Sequence, residues 1–193
     1  GHEPFELTKR FVSRSPGAFP GYSLLSAFGQ AARLNLEYQS AGRVIPLPFH
    51  FLNNNHAMNV RPKNYSWPVF YDHVIDLTKH TFSWPTMIRR HQATGAVIPK
   101  WMNLVRGVSS EGFGRIKYHS RLRRHLDTDR ELRSFFDQES TVVPQFFVNR
   151  LRRELGPLWD WLPEGALDHD PNAYLKEELE RTSRRETHAA GRA

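Results

Sequence analysis

"SWPVFYDHVIDLTKHTFSWPTMIRRHQ", residues 66 to 92, decides the fold class. Ser-Trp-Pro occurs twice, at 66–68 and 83–85, and each time it precedes apolar residues at helical spacing. Serine caps helix starts because its hydroxyl accepts a first-turn N–H, and proline is tolerated there because those N–H groups lack helical acceptors. The spacing predicts two consecutive helices, the first with Val69, Phe70, His73, Val74 and Leu77 on one face, the second with Trp84, Met87 and Ile88. Beyond the shared start the two segments are too dissimilar to be a repeat.

Helical patterning continues downstream. Trp101, Leu104, Val105 and Val108 recur at i, i+3, i+4 and i+7, and "SSEGFGR" at 109–115 interrupts them. "RIKYHSRLRRH" at 115–125 resumes the pattern with Ile116, Leu122 and Leu126 as its apolar stripe. "TDRE" at 128–131 has capping-box spacing ahead of Leu132, Phe135 and Phe136, and "STVVPQFFVNRLRREL" carries a further helix to Gly156. "GPLWDWLPEG" reads as an aromatic-anchored loop, and a helix-prone stretch from Ala173 ends in residues with little to bury, which should fray.

Upstream the signals are mixed. Phe5, Leu7, Phe11 and Val12 mark a short helix that "SPGAFPG" at 15–21 terminates. "YSLLSAF" at 22–28 is read as a strand, although an apolar run this short does not separate strand from helix. The segment from Gln30 to Tyr38 is closed by "SAGR", and Pro46 and Pro48 make "VIPLPFHFL" extended. The expected protein is mainly α, with a small strand or extended element at its N-terminal end. Four regions follow: 1–42, an extended polar linker at 43–65, a helical domain at 66–175 and a frayed tail at 176–193.

With 193 residues, 39% of them hydrophobic and 12% aromatic, the chain can bury a core that offsets the entropy of ordering it. Lys and Arg number 27 against 20 Asp and Glu, a net charge of +7, which favours phosphate, nucleic acid or an acidic protein surface. No stretch reaches the length of a membrane span, and no signal peptide opens the sequence. It begins "GHEPFELTKR" and reads as a fragment lacking its upstream part, or as a scar joined to one. The absence of cysteine excludes disulfides, thiolate metal sites and a cysteine-held iron–sulfur cluster within this sequence.

Catalytic signatures are scarce. There is no phosphate-binding Gly-rich loop followed by Lys and Ser/Thr, no G-x-S-x-G elbow and no H-E-x-x-H. "EGFGR" lacks the third glycine and the preceding strand of a dinucleotide fingerprint, so it reads as a bend between helices. Glu111 and Arg115, four apart, would form an ion pair. In "HDPNAY" at 169–174, Asp170 or Asn172 would cap a helix with Pro171 in its first turn.

"FLNNNHAMNVRP" at 51–62 concentrates uncharged hydrogen-bonding side chains. Asn53, Asn54, Asn55, His56 and Asn59, with Arg61 as a fork for carboxylate or phosphate, would line a polar pocket and contact a substrate. The competing reading is that these asparagines satisfy an irregular backbone. His50 and His56 alone are too few for a catalytic zinc site. Arg115, Lys117, Arg121, Arg123 and Arg124 are candidate phosphate-binding residues, although the aromatics do not alternate with them as a base-stacking platform would.

"PGAFPGYSLLSAFGQAARLNLEYQSAGRV" (16–44), "PFHFLNNNHAMNVRPKNYSWPVFYDHVIDLT" (48–78) and "LGPLWDWLPEGALDHDPNAYL" (155–175) together resemble the C-terminal region of bacterial radical S-adenosylmethionine proteins, the kind often preceded by a cobalamin-binding-like domain. The likeness spans Phe11 to Leu175. It implies a catalytic barrel upstream in the same polypeptide, whose final helix and strand match "FELTKRFVSRS" and "GYSLL", followed by a helical extension. The family's C-x-x-x-C-x-x-C loop, which holds a four-iron four-sulfur cluster and presents S-adenosylmethionine, has no counterpart here. The resemblance therefore implies a lid or accessory end of such an enzyme, inactive by itself and cytoplasmic because the cluster needs a reducing compartment. The cofactors belong to the parent: the cluster, S-adenosylmethionine and, where the extra domain is present, cobalamin. The rival reading is a free-standing basic helical module that binds nucleic acid or another polyanion.

Overall fold

The structure, a computed structural model, describes residues 3–27, 32–48, 51 and 57–168. These residues are mainly helical: α1 (Glu3–Arg14), α2 (Arg33–Ser40), α3 (Trp67–Thr81), α4 (Trp84–Ala93), α5 (Val97–Val108), α6 (Phe113–Thr128), α7 (Arg130–Phe136) and α8 (Gln145–Leu155), then a 3-10 turn at Gly156–Trp161. None of the described helices is long and apolar enough to cross a membrane. The chain divides into two compact units, one of Gly1–Leu24 with Pro62–Arg133 and one of Leu25–Arg61 with Ser134–Ala193.

In the first unit α3 packs against α1, α4 and α6. Both Ser-Trp-Pro signals start helices, with Ser66 and Ser83 at the N-cap positions, but neither hydroxyl makes the capping bond. Proline is the second helical residue in both, so one of the N–H groups that a capping hydroxyl usually takes is missing. Ser83 instead donates to His80 O at 3.1 Å. The core face of α3 is Trp67, Tyr71, Val74, Ile75, Leu77, Thr78 and Thr81, which keeps Val74 and Leu77 of the expected face but rotates away from Val69, which is exposed. Thr78 reaches the core without penalty because its hydroxyl bonds Val74 O at 2.7 Å.

On α1 the expected Leu7 and Phe11 face solvent, while Val12 is buried. Phe5 stacks on His73 at 4.8 Å, Lys9 pairs with Asp76, and Ser13 Oγ bonds His80 Nε2 at 2.9 Å. The contact line of this helix is thus Phe5, Lys9 and Ser13, of which apolar patterning selects only Phe5.

Helices α4 and α5 form a hairpin in which Met87 is fully buried against Gly107, where a Cβ would run into the methionine sulfur. The anticipated α5 stripe faces outward, with Trp101 60%, Val105 54% and Val108 61% exposed. Helix α6 buries Arg115, His119, Leu122 and Leu126, a seam at i, i+4, i+7 and i+11 whose first two places are polar. The glycine bend before it is structural, since a Cβ at Gly112 would overlap the Gly107 carbonyl. Asp129, one residue after the predicted Thr128, caps α7 by accepting from Leu132 N–H at 3.2 Å.

The second unit replaces a sheet with side-chain clamps. Residues 22–27, read as a strand, form neither strand nor helix. Extended pairing between 43–48 and 57–61 stops at a single antiparallel bridge, Val44 with Val60, flanked by Ile45 N–H to Asn59 O at 2.8 Å and Arg61 N–H to Arg43 O at 2.7 Å. Pro46 and Pro48 have no N–H to extend the ladder. Gln138 donates to Val44 O at 2.9 Å, and Phe51, Phe135, Phe136 and Phe147 form the aromatic core.

Candidate functional site

The polar stretch divides at the border of the described residues. Asn53, Asn54, Asn55 and His56 lie outside them, as do His50 and the 169–174 segment. Asn59 is 2% exposed, and its amide faces the backbone of Ala27. Its Oδ1 accepts from Ala27 N–H at 2.7 Å while its Nδ2 donates to Ala27 O. One primary amide thereby acts as a strand partner for a residue that has no strand beside it. Arg61 is exposed, and its carbonyl accepts from Arg43 Nε at 3.0 Å and Nη2 at 2.7 Å.

The basic run of α6 splits by helical phase. Lys117, Arg121 and Arg124 are exposed at i, i+4 and i+7 on one face. Arg123 is committed to carboxylates, with Asp72 Oδ2 at 3.1 Å from its Nε and Asp127 at its Nη1. Arg115 is only 3% exposed, and the expected pair with Glu111 is not formed. Glu111 instead accepts from Arg106 Nε at 2.5 Å, and Arg115 Nη1 donates to Tyr22 O at 2.6 Å.

Around Arg115 the first unit gathers polar groups that the sequence reading passed over. Arg90, on α4, is 2% exposed and its Nη2 lies 3.4 Å from Thr81 O. The Thr81 hydroxyl is 2.6 Å from Tyr22 Oη and donates to Leu77 O at 2.9 Å. Arg106 donates to Pro20 O at 3.0 Å. Burial lowers the pKa of both Arg90 and Arg115, an effect partly opposed by Tyr22 and, for Arg115, by Glu111. Burial also raises Tyr22, against the Thr81 hydrogen bond and the two arginines. Arg90 escaped notice because it follows another arginine in a helix whose periodicity is carried by Met87. The doublet gives no hint of which guanidinium turns inward.

Among the described residues no group of three or more His, Asp or Glu is placed to hold a metal ion. Compared with family models, curated proteins and solved structures, the chain matches none.

Proposed function

We propose that this chain is the helical C-terminal portion of a radical S-adenosylmethionine enzyme, cytoplasmic, scaffolding chemistry carried out by an upstream barrel of the same polypeptide. The observation that carries the reading is the buried bond from Arg115 to Tyr22 O. "GYSLL" at 21–25 corresponds, by resemblance, to the last strand of the barrel. Arg115 and Arg106, from the helices that follow, take the carbonyl of Tyr22 in that segment and of Pro20 just before it. Side chains spent in this way anchor the chain where it would leave the barrel. A sequence with no thiolate cannot ligate the cluster, which is consistent with an accessory role.

The test is anaerobic. The purified chain, incubated with iron, sulfide and a reductant, is expected to retain no four-iron cluster and to leave S-adenosylmethionine uncleaved. Cluster retention with cleavage by the chain alone would end the proposal.

A second reading, binding of a polyanion, rests on the outward row of Lys117, Arg121 and Arg124. Three phosphate contacts predict that log K against log salt falls with a slope of about −2.7 on duplex DNA. Absence of oligonucleotide binding at low salt would remove this reading.

A further inference from the structure

Two arginines buried in one helical unit, with no carboxylate paired to either among the described residues, are an incomplete arrangement. Arg90 and Arg115 are 2% and 3% exposed, and neither forms an ion pair with any described residue. Moving a guanidinium out of water costs several kcal/mol unless opposite charge and hydrogen bonds replace its hydration. Carbonyl oxygens supply part of this, through Tyr22 O for Arg115 and, at 3.4 Å, Thr81 O for Arg90. Three N–H-bearing atoms, Arg90 Nε, Arg115 Nε and Arg115 Nη2, are buried with no hydrogen-bond partner among the described residues.

The pattern of the orphans on Arg115 is specific. Its Nη1 is used by Tyr22 O, and the unused pair, Nε and Nη2, forms the side-on edge of the guanidinium. That edge presents two parallel N–H groups spaced for the two oxygens of a carboxylate or phosphoryl group. Arg115 also stands in the first turn of α6, which carries no acidic residue there and no side-chain cap. The positive end of the helix dipole therefore adds to the uncompensated charge. Among the described residues Glu111 is the carboxylate that acts on Arg115, and it is engaged with Arg106 and partly exposed.

The geometry points to a buried oxyanion site in the first unit, with Arg115 as the bidentate fork, Arg90 Nε as a further donor, and the Tyr22–Thr81 hydroxyl pair between them. The ligand class is a small carboxylate or phosphoryl oxyanion. Tyr22, partly exposed, forms the solvent edge. The site stands independently of the proposed radical enzyme, since it is built from this chain's own residues.

The test uses the intact chain, with chloride exchanged for acetate or inorganic phosphate at constant ionic strength. A bound anion should raise Tm by about 3–5 °C for each tenfold increase in its concentration above Kd. Titration calorimetry should find one anion per chain. Response to acetate alone identifies a planar carboxylate ligand, and response to phosphate identifies a phosphoryl ligand. Arg115→Lys and Arg90→Lys keep the charge but lose the fork or the Nε donor, and should abolish the response; Arg89→Gln, exposed on α4, should keep it. Equal Tm in all three salts with no calorimetric site overturns the proposal, as does an anion response that survives both lysine variants or vanishes in Arg89→Gln, which would mark an adventitious ion only. Should either lysine variant fail to fold, the calorimetric stoichiometry and the other variant decide.

Discussion

Replacing Asn59 by alanine tests whether this residue holds the second unit together or serves a ligand. The side chain is 2% exposed and joined to both backbone groups of Ala27, itself 2% exposed. Truncation leaves the Ala27 N–H and C=O buried without partners, and each orphaned group costs about 1–3 kcal/mol. The expected loss is therefore roughly 2–6 kcal/mol, a large share of the ~5–15 kcal/mol that stabilises a typical domain. Asn59→Asp should be at least as damaging, because the Nδ2 donor becomes a second acceptor facing Ala27 O while a charge is buried. Arg61→Ala, two residues on and exposed, should change stability by less than about 0.5 kcal/mol. Urea unfolding followed by circular dichroism gives the three values at fixed m, and hydrogen exchange at Ala27 should accelerate in the alanine variant. A loss below about 0.5 kcal/mol for Asn59→Ala, with Ala27 still protected, would refute the clamp and return Asn59 to the substrate-contact reading.

Gly107→Ala drives a Cβ into the fully buried Met87 sulfur and should cost about 1–3 kcal/mol by urea midpoint. Gly112→Ala meets rigid backbone at the Gly107 carbonyl and should cost more. Leu122→Ala, at a fully buried site, should lose about 2–5 kcal/mol, whereas Val105→Lys on the outward face of α5 should be near neutral by the same measurement. Burial holds the Tyr71 phenol well above its ordinary 10.0. The stability linked to its neutral form is then complete below about pH 10 and drains away as pH rises through the raised folded value. Tyr71→Phe should flatten the alkaline limb of a stability–pH curve, and an unchanged limb would contradict that linkage.

How far the sequence could be read depended on how strongly each element announced itself locally. Ser-Trp-Pro at 66 and 83 located two helix starts to the residue, and Gly156, with φ of 53°, ended α8 as anticipated. Facing was harder. Leu7 and Phe11 of α1 and the apolar stripe of α5 turned outward because α1 meets α3 through Phe5, Lys9 and Ser13, and because the inner face of α5 is Asn103 and Gly107. On α6, hydropathy pointed to Ile116, but Arg115 and His119 occupy the buried seam.

The mainly helical character, the breaks at proline and glycine, and the exclusion of a thiolate-bound cluster were determined by residue type and spacing alone. Those properties arise within a few residues of chain or from composition. Which arginine is buried, which asparagine replaces a strand, and where three guanidinium donors go unpaired were decided only by tertiary structure. Each of those outcomes depends on a partner tens of residues away, such as Tyr22 for Arg115 or Ala27 for Asn59. The cost of burying a polar group is set by whether that distant partner is present, and local periodicity carries no record of it.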